Sequence, residues 1–184
     1  MQIVTPTLEL LPDFVLALRE GFAPGTVNPA RVRQDAFDRI ASDPVLYIAQ
    51  MTDPEAAGPD VQLPNGQIVK RLPGMTKWMW DDGFVGMISL RWQPGTDELP
   101  PHVLGHIGYA VAEWKQRRGY ATQALAQMLD LARAQGLGSV QITTTPDNLA
   151  SQKVILKNGG VLEYDGPAPE EQGGGPLLRY RIGL

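Results

Sequence analysis

The sequence predicts an α/β protein, a mixed sheet with helices on both faces, and three observations carry this. Strand-like and helical runs follow one another in the order β-αα-β-β-β-α-β-α-β-β. Residues 107–131 hold an apolar strand, IGYAV, then a short polar turn with a basic pair and a glycine, then an amphipathic helix. A run rich in β-branched residues, Val140 to Thr145, follows that helix.

A chain of 184 residues, 43% hydrophobic and 20% charged, fits one domain with its own core, expected to span 1–184. No apolar run nears the ~20 residues of a membrane span. The start, MQIVTPTLELLPDF, has no basic segment leading into a long apolar one, so no signal peptide is expected. The absence of cysteine excludes disulfides, thiolate metal sites and a cysteine nucleophile. The cytoplasm is the default location. A net charge of −4 argues against nucleic acid as the main partner.

The elements follow in order. Residues 3–10 alternate loosely as a first strand, and Leu11 to Gly21 form a short helix with Phe14, Leu16 and Leu18 on its apolar side. Asn28 caps a second helix with Pro29 at its first position. Val32, Ala36, Phe37 and Ile40 fall at helical spacing there, and Ser42-Asp43-Pro44 ends it. Residues 52–74 are rich in Pro, Gly and Asp and predict a loop with a small hairpin at Asn65-Gly66. Thr76 to Trp80 and Phe84 to Trp92 are strands joined by the turn Asp81-Asp82-Gly83. Residues 93–104 form a proline-bearing loop before the strand His106 to Val111. Ala121 to Gln135 is a helix whose Ala121, Leu125, Met128 and Ala132 point inward, with Gly136 as its C-terminal cap. Asn148 caps a helix from Leu149 to Asn158, ended by Gly159-Gly160. Val161 to Tyr164 and Leu177 to Ile182 are the last strands.

The turn after the 107–111 strand is an anion site by construction. The first N–H groups of a helix lack intrahelical partners, and the macrodipole adds partial positive charge. Gly119 lets the backbone approach a ligand closely, and Arg117 and Arg118 add charge. These residues suit a phosphate or pyrophosphate. The plainer alternative is a turn glycine beside a solvated basic pair.

The same residues resemble the GNAT superfamily of N-acetyltransferases. Its acyl-CoA motif, Gln/Arg-x-x-Gly-x-Gly/Ala, follows a strand and opens a helix. Gln116-Arg117-Arg118-Gly119-Tyr120-Ala121 stands in that position. Asn148-x-x-Ser151, within DNLASQKVILKNGGVLE, is similar to the family's Asn-x-x-Ala/Ser helix. The resemblance covers residues 84–164 and is weaker over the N-terminal helices. It implies the GNAT acyl-CoA N-acyltransferase fold. It also implies acetyl-CoA as co-substrate, its pyrophosphate on backbone N–H groups from Arg117 to Thr122. The pantetheine arm would then bond the backbone at Ala110, Val111 and Ala112, and Asn148 and Ser151 would touch the pantetheine or adenine side.

Many family members carry a tyrosine four residues after the Asn-x-x-Ala/Ser position, where it protonates the leaving sulfur. Ile155 stands there, so Tyr164, Tyr109 or a water must serve, or no acid is used. The N–H near Val111 is a candidate to polarise the thioester carbonyl. His106, at the start of the strand that meets the thioester, is the candidate base. A strand-edge histidine bonded to a loop is the bland alternative. Glu113 is expected to be solvated, and His102 to line the acceptor site. Among Trp78, Trp80 and Trp92 most are expected in the core, with one free to wall the acceptor pocket.

The expectation is therefore an acetyl-CoA-dependent N-acetyltransferase that moves the acetyl group directly to an amine, with no metal. The acceptor is open, and so is a homodimer. The long loops at 52–74 and 93–104 are expected to form the acceptor side. A non-catalytic acyl-CoA-binding module is the first rival. A nucleotide-binding regulatory domain is the second, and the lack of a lysine-bearing phosphate loop or Gly-x-Gly-x-x-Gly counts against it.

Overall fold

The computed structural model describes residues 1–25, 28–63, 66–170 and 174–184. Strand β1 (Gln2–Val4) precedes helices α1 (Leu11–Arg19), α2 (Pro29–Ser42) and α3 (Pro44–Ala49). Short strands β2 (Thr52–Asp53), β3 (Val61–Gln62) and β4 (Ile68–Val69) lead to β5 (Gly74–Trp80), β6 (Phe84–Arg91) and β7 (Ile107–Val111). A single 3-10 turn, Glu113–Lys115, separates β7 from α4 (Tyr120–Ala134). Then come β8 (Ser139–Thr144), α5 (Leu149–Lys157), β9 (Val161–Pro167) and β10 (Pro176–Gly183).

The expected sheet is present but divided. One ladder runs β1-β5-β6-β7 with β2 also on β5, another runs β8-β10-β9, and β3 pairs with β4. Every pairing within them is antiparallel. The two main ladders adjoin at β7 and β8, the strands joined by the α4 crossover, yet no ladder links that pair among the described residues.

Several expected boundaries move. The first strand is three residues long because Thr5-Pro6 leaves the ladder. Asp43 ends α2, as anticipated, and at once starts a helix the sequence reading lacks. Its carboxylate accepts the Leu46 N–H at 2.9 Å, and Pro44 takes the first position of α3. Asn28 caps α2 through the Arg31 N–H, and Asn148 caps α5 through the Ser151 N–H. Strands β3 and β4 form the small hairpin expected near Gly66; Asn65 lies outside the described residues.

Two apolar layers flank the sheet. On one side α4 buries Ala124, Leu125, Met128, Leu129 and Ala132 against Ile88, Leu90 and Ile142. Ala121, expected in that stripe, is only half-buried. On the other side Phe14 of α1 stacks on Trp78 at 5.0 Å and meets Phe84 edge-on at 5.2 Å. Leu16, expected on the apolar side of α1, is 53% exposed, and Leu11 and Ala17 are buried instead. The aromatic cluster holds the α1–α2 connection over one face of β6 and β7, where the site lies.

Candidate active site

The site is the gap between β7 and β8. The two strands are pinned at their base by one residue. His106 donates its N–H to Gln141 O at 2.7 Å, and its Nδ1 accepts the Gln141 N–H at 2.9 Å. Beyond that pin each strand turns to its own ladder, and a cavity of about 470 Å3 opens between them. Tyr109, Asn148 and Ser151 line it beside α5. Ser89, Arg91, Gly108, Pro24 and Gly25 line it on the α1–α2 side.

The β7 backbone is sorted by parity. Arg91 N–H bonds His106 O, and Ala112 N–H bonds Val85 O at 2.9 Å, so the even residues of this strand face β6. Tyr109 and Val111 therefore turn their N–H and C=O groups to the gap. Gln116 Nε2 meets Val111 O there at 3.2 Å. This corrects the expected backbone contacts. Val111 turns its peptide groups to the gap, but Ala110 spends its own on β6; Ala112 gives its N–H to β6 and its C=O to the Lys115 N–H at 2.8 Å, and is buried at 1% exposure. Ala110 lines the gap with its side chain only.

The far end of the gap meets the start of α4. Asn28, Asp43 and Asn148 cap their helices with side chains, whereas Gly119, at φ +81°, gives α4 no side-chain cap. The N–H groups of Tyr120, Ala121 and Thr122 precede the first intrahelical bond, which runs from Gln123 N–H to Gly119 O. Arg117 is also left-handed, at φ +60°, and it and Arg118 are exposed. The Tyr120 side chain turns away: its hydroxyl donates to Asp81 Oδ2 at 2.7 Å, which holds that carboxyl below its usual range and pushes the phenol up. Thr122 O accepts Asn158 Nδ2 at 3.3 Å, tying α4 to α5. Asn148 and Ser151 line the gap itself, whereas no residue of 116–122 does; that run is tied to it through Gln116 on Val111 O and Thr122 O on Asn158.

Two expected catalytic residues are placed elsewhere. His106 is fully enclosed, with Nδ1 occupied by Gln141 and Nε2 without a hydrogen-bond partner among the described residues. Burial lowers its pKa to about 4, while nearby Asp97 and Arg181 act in opposite directions. It does not line the gap, so the base role does not fit it. Tyr164 donates to Pro167 O at 2.8 Å and lies beneath the Arg179 guanidinium. It lines a different cavity of about 800 Å3, between the 93–104 loop and the β9–β10 connection. That loop walls this second cavity and not the gap, and no described residue of 52–74 lines either, so neither loop forms the acceptor side expected of it at the gap. None of Trp78, Trp80 and Trp92 does either: Trp78 and Trp92 are core and Trp80 is half-buried. Ile155 is fully buried.

Tyr109, unlike Tyr164, lines the gap. Its hydroxyl lies 2.8 Å from Ser151 Oγ inside the gap, and burial pushes its pKa up. Period 2 along β7 puts it on the face of Val111, a signal present in the sequence. Ser89, Arg91 and Gly25 had no such signal, since only the folded sheet brings them to β7.

The acetyltransferase (GNAT) domain family matches residues 33–161. A search of curated proteins finds no match. Among solved structures, the microcin C7 self-immunity acetyltransferase MccE, in complex with acetyl-CoA and AMP, aligns with a TM-score of 0.62 at 16% identity, over 99% of this chain and 91% of that one. RimL, the ribosomal L7/L12 alpha-N-protein acetyltransferase in complex with coenzyme A, aligns with a TM-score of 0.62 at 16% identity, over 99% and 93%. An acetyltransferase from Agrobacterium tumefaciens str. C58 gives 0.55 at 15% identity, over 99% and 90%. At such identities the likeness speaks for the fold alone. The family match covers most of the chain, and with it the chain belongs to the GNAT acetyltransferase family.

Proposed function

We propose that this chain moves an acetyl group from acetyl-CoA directly to a primary amine, and that the β7–β8 gap is where transfer occurs. The observation that carries this is the gap itself, a splayed strand pair running from an uncapped helix N-terminus to a pocket with Tyr109 inside it. The residues present suit the co-substrate. The free N–H groups at Tyr120 to Thr122, with Arg117 beside them, would hold the pyrophosphate. The outward peptide groups of Val111 and Tyr109 would bond the extended pantetheine arm as a neighbouring strand would.

Each further step falls to a residue of the gap. The outward N–H of Tyr109 or Val111 would stabilise the oxyanion that develops as the amine attacks the thioester carbon. As that carbon–sulfur bond breaks, the Tyr109 hydroxyl would give its proton to the leaving sulfur. Its raised pKa keeps it protonated for that role. The leaving thiol has a pKa of ~8.5, so the donor helps without being indispensable. Among the described residues no carboxylate or imidazole lines the gap, so the ammonium proton leaves through water.

Acetyl-CoA-dependent thiol release with a library of amines tests the reading. Tyr109→Phe should lower kcat by ~10²-fold with little change in either KM, the usual scale for a lost proton donor. Acetyl-CoA that binds tightly but releases no thiol with any amine would instead make the chain a binding module. An unaltered kcat in Tyr109→Phe would leave the proton to water.

A further inference from the structure

Among the described residues, Arg91 is the one charged side chain lining the β7–β8 gap. It is the last residue of β6, and its N–H bonds His106 O, at the base where β7 and β8 are pinned. Ser89 and Gly108 are paired across the ladder on the same face, and Gly25 lies opposite. Its guanidinium has no hydrogen bond or ion pair among the described residues. The carboxylates that act on His106, and Glu163 on β9, are engaged elsewhere. Asp97 accepts Gly138 N–H at 2.9 Å and Ser139 Oγ at 3.2 Å. Glu98 is 3.4 Å from Arg181 Nη2, and Glu163 is 2.6 Å from Arg181 Nε. Arg91 is exposed to solvent, and the packing around its stem lowers its pKa by desolvation.

We infer that the acceptor is an amine that also carries a carboxylate, and that the Arg91 guanidinium seats that carboxylate at the pinned end of the β7–β8 gap. The inference rests on the acetyl-transfer reading and narrows its acceptor. A guanidinium presents paired N–H donors that match a carboxylate, and one without an ion pair at the wall of a cleft is free to take it. The same charge repels an acceptor with a second ammonium group, so polyamines fit poorly. Ser89 is less available for binding, because its hydroxyl already pairs with Thr76 Oγ1 at 2.9 Å. The carboxylate can belong to a free amino acid or to an acidic peptide N-terminus.

Matched pairs separate these sources: L-alanine against L-alaninamide, and L-aspartyl-L-alaninamide against L-asparaginyl-L-alaninamide, with spermidine as the dication. Each is measured by thiol release and by calorimetric binding to protein saturated with CoA. In at least one pair the carboxylate member should bind and react about tenfold better or more. Arg91→Ala should erase that preference without moving acetyl-CoA affinity, and Arg91→Lys should keep part of it. Equal binding within both pairs, no binding by any carboxylate member, or an Arg91→Ala loss shared by both members would overturn the inference. Preference for spermidine would do the same. Preferential binding with no thiol released would uphold the carboxylate seat while removing acetyl transfer. Transfer to the amides alone would do the reverse.

Discussion

The two ends of the cleft are made of different material. At the α4 end a single run, 116–122, supplies nearly everything, and most of what it offers is backbone: an uncapped helix start behind two left-handed residues. At the Arg91 end the wall comes from Pro24 and Gly25, from Ser89 and Arg91, from Gly108 and from Thr143, four separated stretches meeting only in the folded sheet. A diphosphate needs N–H groups and positive charge, which one helix start provides on any protein of the family. An acceptor needs shape and a particular charge, which are set by side chains that several elements contribute. The first end can be shared while the second is specific.

The sharpest way to break this division is at Gly108. A Cβ built there meets nothing within 4 Å, so the space it faces is the cleft and not the core. Gly108→Val should therefore fold, with an unfolding temperature close to that of the parent. Its kcat/KM for the acceptor should fall by ~10²-fold, the scale of a reacting group displaced by about 1 Å. A folded Gly108→Val with unaltered kcat/KM would mean the acceptor approaches from elsewhere, the larger groove at Tyr164 being the alternative route.

Gly119 tests the opposite end with a smaller effect. Its φ of +81° is strained for a β-branched residue, while the nearest atom to an added Cβ is Gln123 Nε2 at 3.7 Å. Gly119→Val should weaken acetyl-CoA by roughly tenfold, the equivalent of the ~1–2 kcal/mol that a left-handed conformation costs a non-glycine residue. Gly119→Asn, which tolerates that conformation, should retain most of the affinity. Calorimetry with acetyl-CoA reads both. If valine and asparagine bind alike, the conformation of the turn is irrelevant to the phosphates.

This contrast also explains what could be read from the sequence. The 116–122 turn, the Asn148 cap and the α4 stripe were legible because each depends on neighbours within a few residues. Asp43 shows the limit of that reading: the same residue that stops α2 starts α3, and a terminator looks like an end. Arg91 carries no local pattern, because its meaning comes from lying opposite His106, along the ladder from the Ser89–Gly108 pair. The divided sheet was likewise hidden. An apolar run marks β7 and β-branched residues mark β8 as strands, but neither says which neighbour each chooses.

His106 belongs to that hidden class, and its predicted effect on turnover is the smallest. Histidine at the head of β7 suits a base by position, but its imidazole closes the junction of the two ladders. Its unfolded pKa is near 6.5, and burial lowers the folded value to about 4. The unfolded chain thus binds a proton more readily than the native one between those values. The stability contributed by the neutral ring is complete above pH 6.5 and is lost as pH falls through about 4, where the unfolded chain is already protonated. The full span is worth about 3 kcal/mol, on the order of 1.4 kcal/mol for each pH unit. The charges nearby do not reverse this, because Asp97 and Glu98 raise the value while Arg181 and Arg91 lower it, and burial outweighs them all. His106→Gln keeps an acceptor near the Gln141 N–H but cannot titrate. Urea unfolding from pH 4.5 to 7.5 should therefore show a shallower pH dependence in His106→Gln than in the parent. At pH 7.5 its kcat should stay within about twofold, far from the ~10²-fold loss of a missing general base. If kcat collapsed while stability kept the parental pH slope, the imidazole would have to be reached by substrate, and the pin between β7 and β8 would have to open during turnover.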